Sequence, residues 1–377
     1  MGSLGEGDIL VSCSSLRYSG AVKSHDEAKR LVRSDPRPAC RAKRTVFDAG
    51  IAAVLMLFLV SACVPGGIVG GEAPSAGPTV MAVDTFAVTK STHIYAQGMA
   101  YEYWGDTSGA AIDLLLDLYI PEDAPGLRPA AIFIHGGGFV GGTREQGALP
   151  RMAETLASRG WVCISVDYRL AGDHGMVPQA WLDYGQDQPV SPKERNQGLA
   201  IYAASRDVKA ALRWLTARAD SYAVDVTKLT ALGGSAGAVL AVMLGATEPE
   251  DFRDELTASE DPTLLTTTLD APSDVHSIVD FWGSAVAVEI LEEVYGVTRF
   301  DSGDAPLLII HGTEDPTVPF EKALQLEEIW TDTGVPFESH ALIGAGHGAW
   351  NRTIDGQPLV EIAFDFIVRQ QGLVVRY

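Results

Sequence analysis

Cysteine, basic residues and long apolar runs are all scarce in this sequence. Four cysteines (Cys13, Cys40, Cys63 and Cys163) are spread over 377 residues. Cys13 and Cys40 precede an expected export signal and Cys63 is its expected lipid carrier, so no intrachain disulfide is expected and the fold must rest on a packed core. Cys163 lies in the apolar stretch 161–166 and reads as a buried, inert thiol. Only 28 basic residues face 49 acidic ones, a net charge of −21. Such a balance leaves no basic face for nucleic acid, and it favours solubility. The apolar run at 49–60 is about a dozen residues, short of the roughly 20 that a spanning helix needs. There is no HExxH or CxxC pattern to hold a metal, and no internal repeat of 20–50 residues.

What is present begins with an address. Residues 1–48 are polar, with Pro and Gly and a basic cluster at Arg37, Arg41, Lys43 and Arg44. The apolar run follows and ends in Leu59-Val60-Ser61-Ala62-Cys63. A basic stretch, a short apolar stretch and small residues make a secretory signal. This ending resembles a bacterial lipoprotein signal, which makes 1–62 the signal region and Cys63 the lipidated N-terminus. The expected location is outside the cytoplasm, with membrane attachment only through that lipid. An ordinary signal peptide with a chance cysteine is the alternative. Residues 63–85 are rich in Gly, Pro, Ala and Ser and read as a flexible tether, leaving 86–377 as one domain.

Within that domain short apolar runs alternate with longer helical ones. Strands are expected at 112–119, 130–135, 161–166, 228–232, 278–282, 307–311 and 337–343. Helices are expected at 144–159, 200–219, 236–246, 320–333 and 354–371. Continuous apolar strands separated by helices imply βαβ crossovers and a mainly parallel sheet covered on both faces. Two stretches, 170–198 and 247–277, interrupt the alternation and read as inserted cap or lid segments.

Four motifs carry chemistry. Gly233-Gly234-Ser235-Ala236-Gly237 fits G-x-S-x-G between a strand and a helix, the context of a nucleophile elbow, with Ser235 as nucleophile. His135-Gly136-Gly137-Gly138-Phe139 follows an apolar strand and offers bare backbone amides. The N–H groups of Gly137, Gly138 and Ala236 are assigned to an oxyanion hole. A carboxylate follows the strand at 307–311 in His311-Gly312-Thr313-Glu314-Asp315. Asp315 is chosen there, with Glu314 beside it and Asp301 and Asp304 as more distant rivals. Gly346-His347-Gly348 follows the last strand and supplies the base, completing the chain order Ser…Asp…His. His135 and His311 are expected to be packed. Phe139, Phe281, Trp282 and Trp350 could line an acyl or aryl pocket, or belong to the core.

These motifs, with Leu116-Asp117-Leu118-Tyr119-Ile120-Pro121, Val166-Asp167-Tyr168-Arg169-Leu170 and Val318-Pro319, resemble the α/β-hydrolase esterase and lipase superfamily. They look closest to hormone-sensitive-lipase-like carboxylesterases and to acetylxylan or feruloyl esterases. The resemblance covers about residues 90–377. It implies an α/β-hydrolase fold with about eight strands, a Ser235–His347–Asp315 triad, an acyl-enzyme and no cofactor. In similar enzymes the Asp-Tyr-Arg segment is structural, so Asp167 and Arg169 are read that way. The expected substrate is a short-chain or aryl ester, free or linked to polysaccharide. Two alternatives stay open. One is a peptidase of the prolyl-oligopeptidase kind, for whose propeller the 85 leading residues are too few. The other is a catalytically inactive α/β-hydrolase used for binding.

Overall fold

The computed structural model describes residues 77–377. The signal region, Cys63 and most of the expected tether lie outside them. Nine strands and eight helices carry the argument. The strands are β1 (Thr79–Met81), β2 (Val88–Ala100), β3 (Ala110–Pro121), β4 (Arg128–Ile134), β5 (Val162–Val166), β6 (Val224–Gly234), β7 (Ser277–Phe281), β8 (Leu307–Gly312) and β9 (Phe337–Leu342). The helices are α1 (Leu149–Ser158), α2 (Gln179–Asp187), α3 (Pro192–Thr216), α4 (Ala219–Tyr222), α5 (Ala236–Ala246), α6 (Val286–Tyr295), α7 (Glu321–Thr333) and α8 (Leu359–Gln371).

Strands β2 to β9 form one sheet in the order β2-β3-β5-β4-β6-β7-β8-β9. Strand β3 runs against its two neighbours, and every pair from β5 to β9 is parallel. This is an α/β-hydrolase fold. Alternate side chains of each strand feed opposite cores. Ile132, Ile134 and Ile164 meet α3, α5 and α6 on one face, whereas Ala131, Phe133 and Cys163 meet α1 and α8 on the other. Burial on both faces explains why these strands read as unbroken apolar runs. Each large side chain so buried contributes about 1.5–3 kcal/mol.

The structure departs from the sequence reading in several places. Strand β2 was not expected, because its polar run Thr89-Lys90-Ser91-Thr92-His93 belongs to an edge strand with one wet face. Residues 79–81, expected in the tether, form β1, which pairs in parallel with the short strand Val374–Arg376. Val80 is fully buried there. Helix α3 begins eight residues ahead of the expected 200, inside the stretch read as an insertion. Pro192 stands in its first turn, and Ser191 and Glu194 form a reciprocal capping box. Helix α1 starts at Leu149 rather than 144, because Arg144 is drawn away: its guanidinium pairs with Asp117 and Asp167. Asp167 is thus a tether for Arg144, and Arg169 pairs with Asp207 in the interior.

The stretch 247–277 starts and ends away from Ser235. It leaves the far end of α5, about 16 Å of helix from Ser235. It returns at the start of β7, at the end of the strands away from the site. A row of buried cations on α3 holds it down. Arg206 pairs with Asp261 at 3.0 Å, Lys209 donates to the carbonyls of Glu248 and Asp251, and Arg213 donates to that of Thr267. Residues 170–191 lie instead beyond the carboxyl end of β5, on the side of Ser235, and carry α2. Among the described residues no helix is long and apolar enough to cross a membrane.

Candidate active site

Ser235 stands between β6 and α5 with φ 56° and ψ −122°, a backbone geometry that costs about 1–3 kcal/mol. The turn is held from several sides. The Ser235 N–H donates to the carbonyl of Phe281 on β7 at 2.9 Å. Gly237 lies so close to β4 that a Cβ there would meet the Ile134 carbonyl at 2.0 Å. Only glycine tolerates that approach, so the last glycine of G-x-S-x-G is a packing requirement of the helix that follows the serine.

His347 comes from the loop after β9 and joins the other two side chains. Its Nε2 lies 2.9 Å from Ser235 Oγ, and its Nδ1 lies 2.7 Å from Asp315 Oδ2. An ionised carboxylate only accepts, so Nδ1 carries the proton and Nε2 accepts from the serine hydroxyl. Asp315, at the carboxyl end of β8, also accepts at Oδ1 from the N–H groups of Thr317 and Val318. Burial alone would raise its carboxyl. The hydrogen bond with His347 and the two amides outweigh that and hold it below its ordinary value. Glu314 is exposed and joins no such chain. Asp301 and Asp304 precede β8, at the end of that strand away from the serine.

The glycine loop after β4 packs directly on the elbow. A Cβ at Gly136 would lie 3.2 Å from Ser235 Cβ. Gly137 and Gly138 take φ of 119° and 59°, which a residue with a side chain resists. Among the described residues no hydrogen bond takes up the amides of Gly137, Gly138 or Ala236. Three contacts fix the loop from behind. The Gln197 side chain donates to the Gly138 carbonyl at 2.7 Å, the Ala171 N–H donates to the Phe139 carbonyl, and the Tyr168 hydroxyl donates to that of His135. His135 stacks on Tyr168 and is buried, which pushes its imidazole down toward the neutral form. His311 is fully buried and donates to the Val318 carbonyl, bracing the turn that carries Asp315. Gln197 escaped the sequence reading because it lies in the stretch taken for an insertion, and no local pattern marks it.

The aromatic residues divide between the two expected places. Phe139 and Phe281 are fully buried and Trp282 is 1% exposed, so these three belong to the core. Only Trp350 keeps substantial exposure. Trp282 and Trp350 meet edge to face with centroids 4.5 Å apart, and Trp282 stands 6.3 Å from the His347 ring. A cleft of about 540 Å³ opens on the outer side of this loop, lined by Gly346, His347, Asn351 and Arg352 among others. Among the described residues no group of three or more His, Cys, Asp or Glu side chains could hold a metal.

Comparison with known proteins follows the same lines. The BD-FAE family model matches residues 116–185 and 191–329, more than half of the chain. Esterase LipC of Mycobacterium tuberculosis is 28% identical over 62% of this chain and 56% of its own. The probable carboxylic ester hydrolase LipM of the same organism is 26% identical over 64% of this chain and 56% of its own. The chain thus spans about half the length of the curated relatives it matches. Among solved structures, the thermophilic esterase Est2 of Thermogutta terrifontis with propionate bound is 26% identical, with a TM-score of 0.50. That match covers 74% of this chain and 93% of Est2.

Proposed function

The chain belongs to the BD-FAE family, and on that premise we propose that it is a serine carboxylesterase that hydrolyses short-chain or aryl esters through Ser235, His347 and Asp315. The observation that carries the reading is the hydrogen-bonded chain from Ser235 Oγ through His347 to Asp315, set against a loop of bare amides. The named esterases among its relatives support it. The preference for short acyl groups leans on Est2, whose structures hold propionate and butyrate. The ester is a small molecule or a group attached to a polysaccharide.

The chemistry follows from the protons. His347 Nε2 takes the Ser235 proton as Oγ attacks the ester carbonyl, and the carbonyl oxygen becomes an oxyanion. The amides of Gly137, Gly138 and Ala236 stabilise it, and Ala236 adds the positive end of α5. The imidazolium, paired with Asp315, then gives its proton to the departing alcohol. Water repeats the attack on the acyl-enzyme with His347 again as base, releasing the acid and restoring Ser235.

Hydrolysis of p-nitrophenyl acetate, p-nitrophenyl octanoate and a prolyl anilide tests the reading, together with labelling by an organophosphate. Fast turnover of the acetate with label on Ser235 is the expected result. Preferred cleavage of the anilide would favour a peptidase. No label on the folded protein would favour a binding module. The same proposal takes residues 1–62 as an export signal and Cys63 as the lipid carrier. Radiolabelled palmitate should enter the wild type in a bacterial host and not the Cys63→Ala variant.

A further inference from the structure

Strand β7 carries one charged residue, Asp280, which is completely buried. Its Oδ1 accepts from the Gly283 N–H at 2.6 Å, closing the turn 280–283 at the carboxyl end of the strand. Its Oδ2 has no hydrogen-bond partner. A buried carboxyl with one partner is a costly group to keep, and its place in the sheet gives a reason for it. Asp280 lies in register with Gly233, and Phe281 with Gly234, so the turn sits directly beside the nucleophile elbow.

The turn touches the site at three points. The Phe281 carbonyl accepts from the Ser235 N–H. A Cβ at Gly283 would lie 2.5 Å from Ala238 Cβ, so the turn also bears on the first turn of α5. Trp282, at φ 50°, stands against Trp350 and, at 6.3 Å, His347. Without the side-chain acceptor at 280, the Gly283 N–H loses the bond that closes this turn. Burial, opposed only by that amide, pushes the Asp280 carboxyl up to about 7. At pH 6 it is mainly the neutral acid, which an asparagine mimics in shape.

We propose that Asp280 is a positioning residue: its carboxyl oxygen locks the turn 280–283, and the locked turn holds the strained Ser235 backbone and the tryptophans beside His347. This rests on the reading of Ser235 as the nucleophile. The test compares wild type, Asp280→Asn and Asp280→Val at pH 6. The readouts are kcat and KM on p-nitrophenyl acetate, and the rate of phosphonylation by an organophosphate, all normalised to titrated active sites. Asn retains the oxygen and should stay within about threefold of wild type. Val fills the space without an acceptor. It should lower kcat and the phosphonylation rate together by about 10- to 100-fold, with KM changed little.

Wild-type rates per active site in Asp280→Val, even with less folded enzyme, would overturn the proposal and leave a purely structural residue. So would an Asn variant as slow as Val, because an acceptor oxygen in the same place would then not be what holds the turn. If Val does not fold, the Asn comparison stands alone with the same threshold. Failure of wild type itself to be labelled at Ser235 would overturn the nucleophile reading, and the proposal with it.

Discussion

Trp350 occupies the space that a side chain at Gly234 would need: a Cβ there would stand 2.6 Å from the indole Cζ2. Trp350 lies three residues beyond His347, so this contact braces the histidine loop against the nucleophile elbow. Gly234→Ala must push the indole, and the loop with it, away. The expected result is a fall in kcat of at least about tenfold. In a Trp350→Ala background the same substitution should cost little. A double-mutant cycle on kcat measures the coupling.

Ser235→Ala and His347→Ala should each abolish turnover while leaving the circular dichroism spectrum and thermal midpoint near wild type. Asp315→Asn should lower kcat by about 10⁴, because an amide can present its NH₂ to His347 and turn the ring to the wrong tautomer. Glu314→Gln, at an exposed position, should have no comparable effect. The reverse pattern in steady-state kinetics would move the acid to Glu314.

Gln197 holds the carbonyl of Gly138 from a buried position on α3. Gln197→Leu leaves that carbonyl without its donor and loosens the peptide that follows. A drop in kcat of about 10- to 100-fold is expected, with KM nearly unchanged, since the oxyanion develops after binding. An unchanged kcat would mean that the loop keeps its geometry unaided.

The clamp on 247–277 should matter for stability and not for catalysis. Arg206 and Asp261 are a buried pair, and Asp261 also accepts from the Thr263 N–H. Removing one partner of such a pair costs about 3–5 kcal/mol. Asp261→Ala should therefore lower the denaturation midpoint sharply while kcat per active site stays constant. A kcat that falls with stability intact would favour the lid reading for this segment.

The raised carboxyl of Asp280 has a signature in stability. Between its ordinary value near 3.8 and its folded value near 7, the native state holds a proton that the unfolded state has released. Its contribution therefore weakens as pH rises through that window, by at most about 4 kcal/mol at 1.36 kcal/mol per unit. Asparagine cannot titrate. Urea unfolding at pH 4, 6 and 8 should show Asp280→Asn gaining on wild type at each step.

The chemistry-bearing loops were legible because each is a short, local pattern. A serine between glycines after an apolar strand can do little but turn sharply, and Gly237 against the Ile134 carbonyl shows why. Strand β2, Gln197 and Asp280 were not legible. A polar edge strand has no alternation to betray it, Gln197 acts on a carbonyl 59 residues away, and Asp280 sits in a run whose apolar neighbours hide it. The aromatic residues stayed open between pocket and core for a similar reason: Phe139, Phe281 and Trp282 are adjacent to the site in sequence but are buried, because large rings gain most by leaving water.

Residue order alone was enough for the parallel sheet, the elbow, the glycine loop and the sequence of serine, acid and histidine, since periodicity and backbone sterics act over a few neighbouring residues. It also favoured Asp315 over Glu314, but it could not say that 247–277 is bolted to α3, or that the turn at Asp280 lies under Ser235. Those follow from contacts between residues 39 to 55 apart in the chain. Such contacts exist only after the sheet has brought its strand ends together.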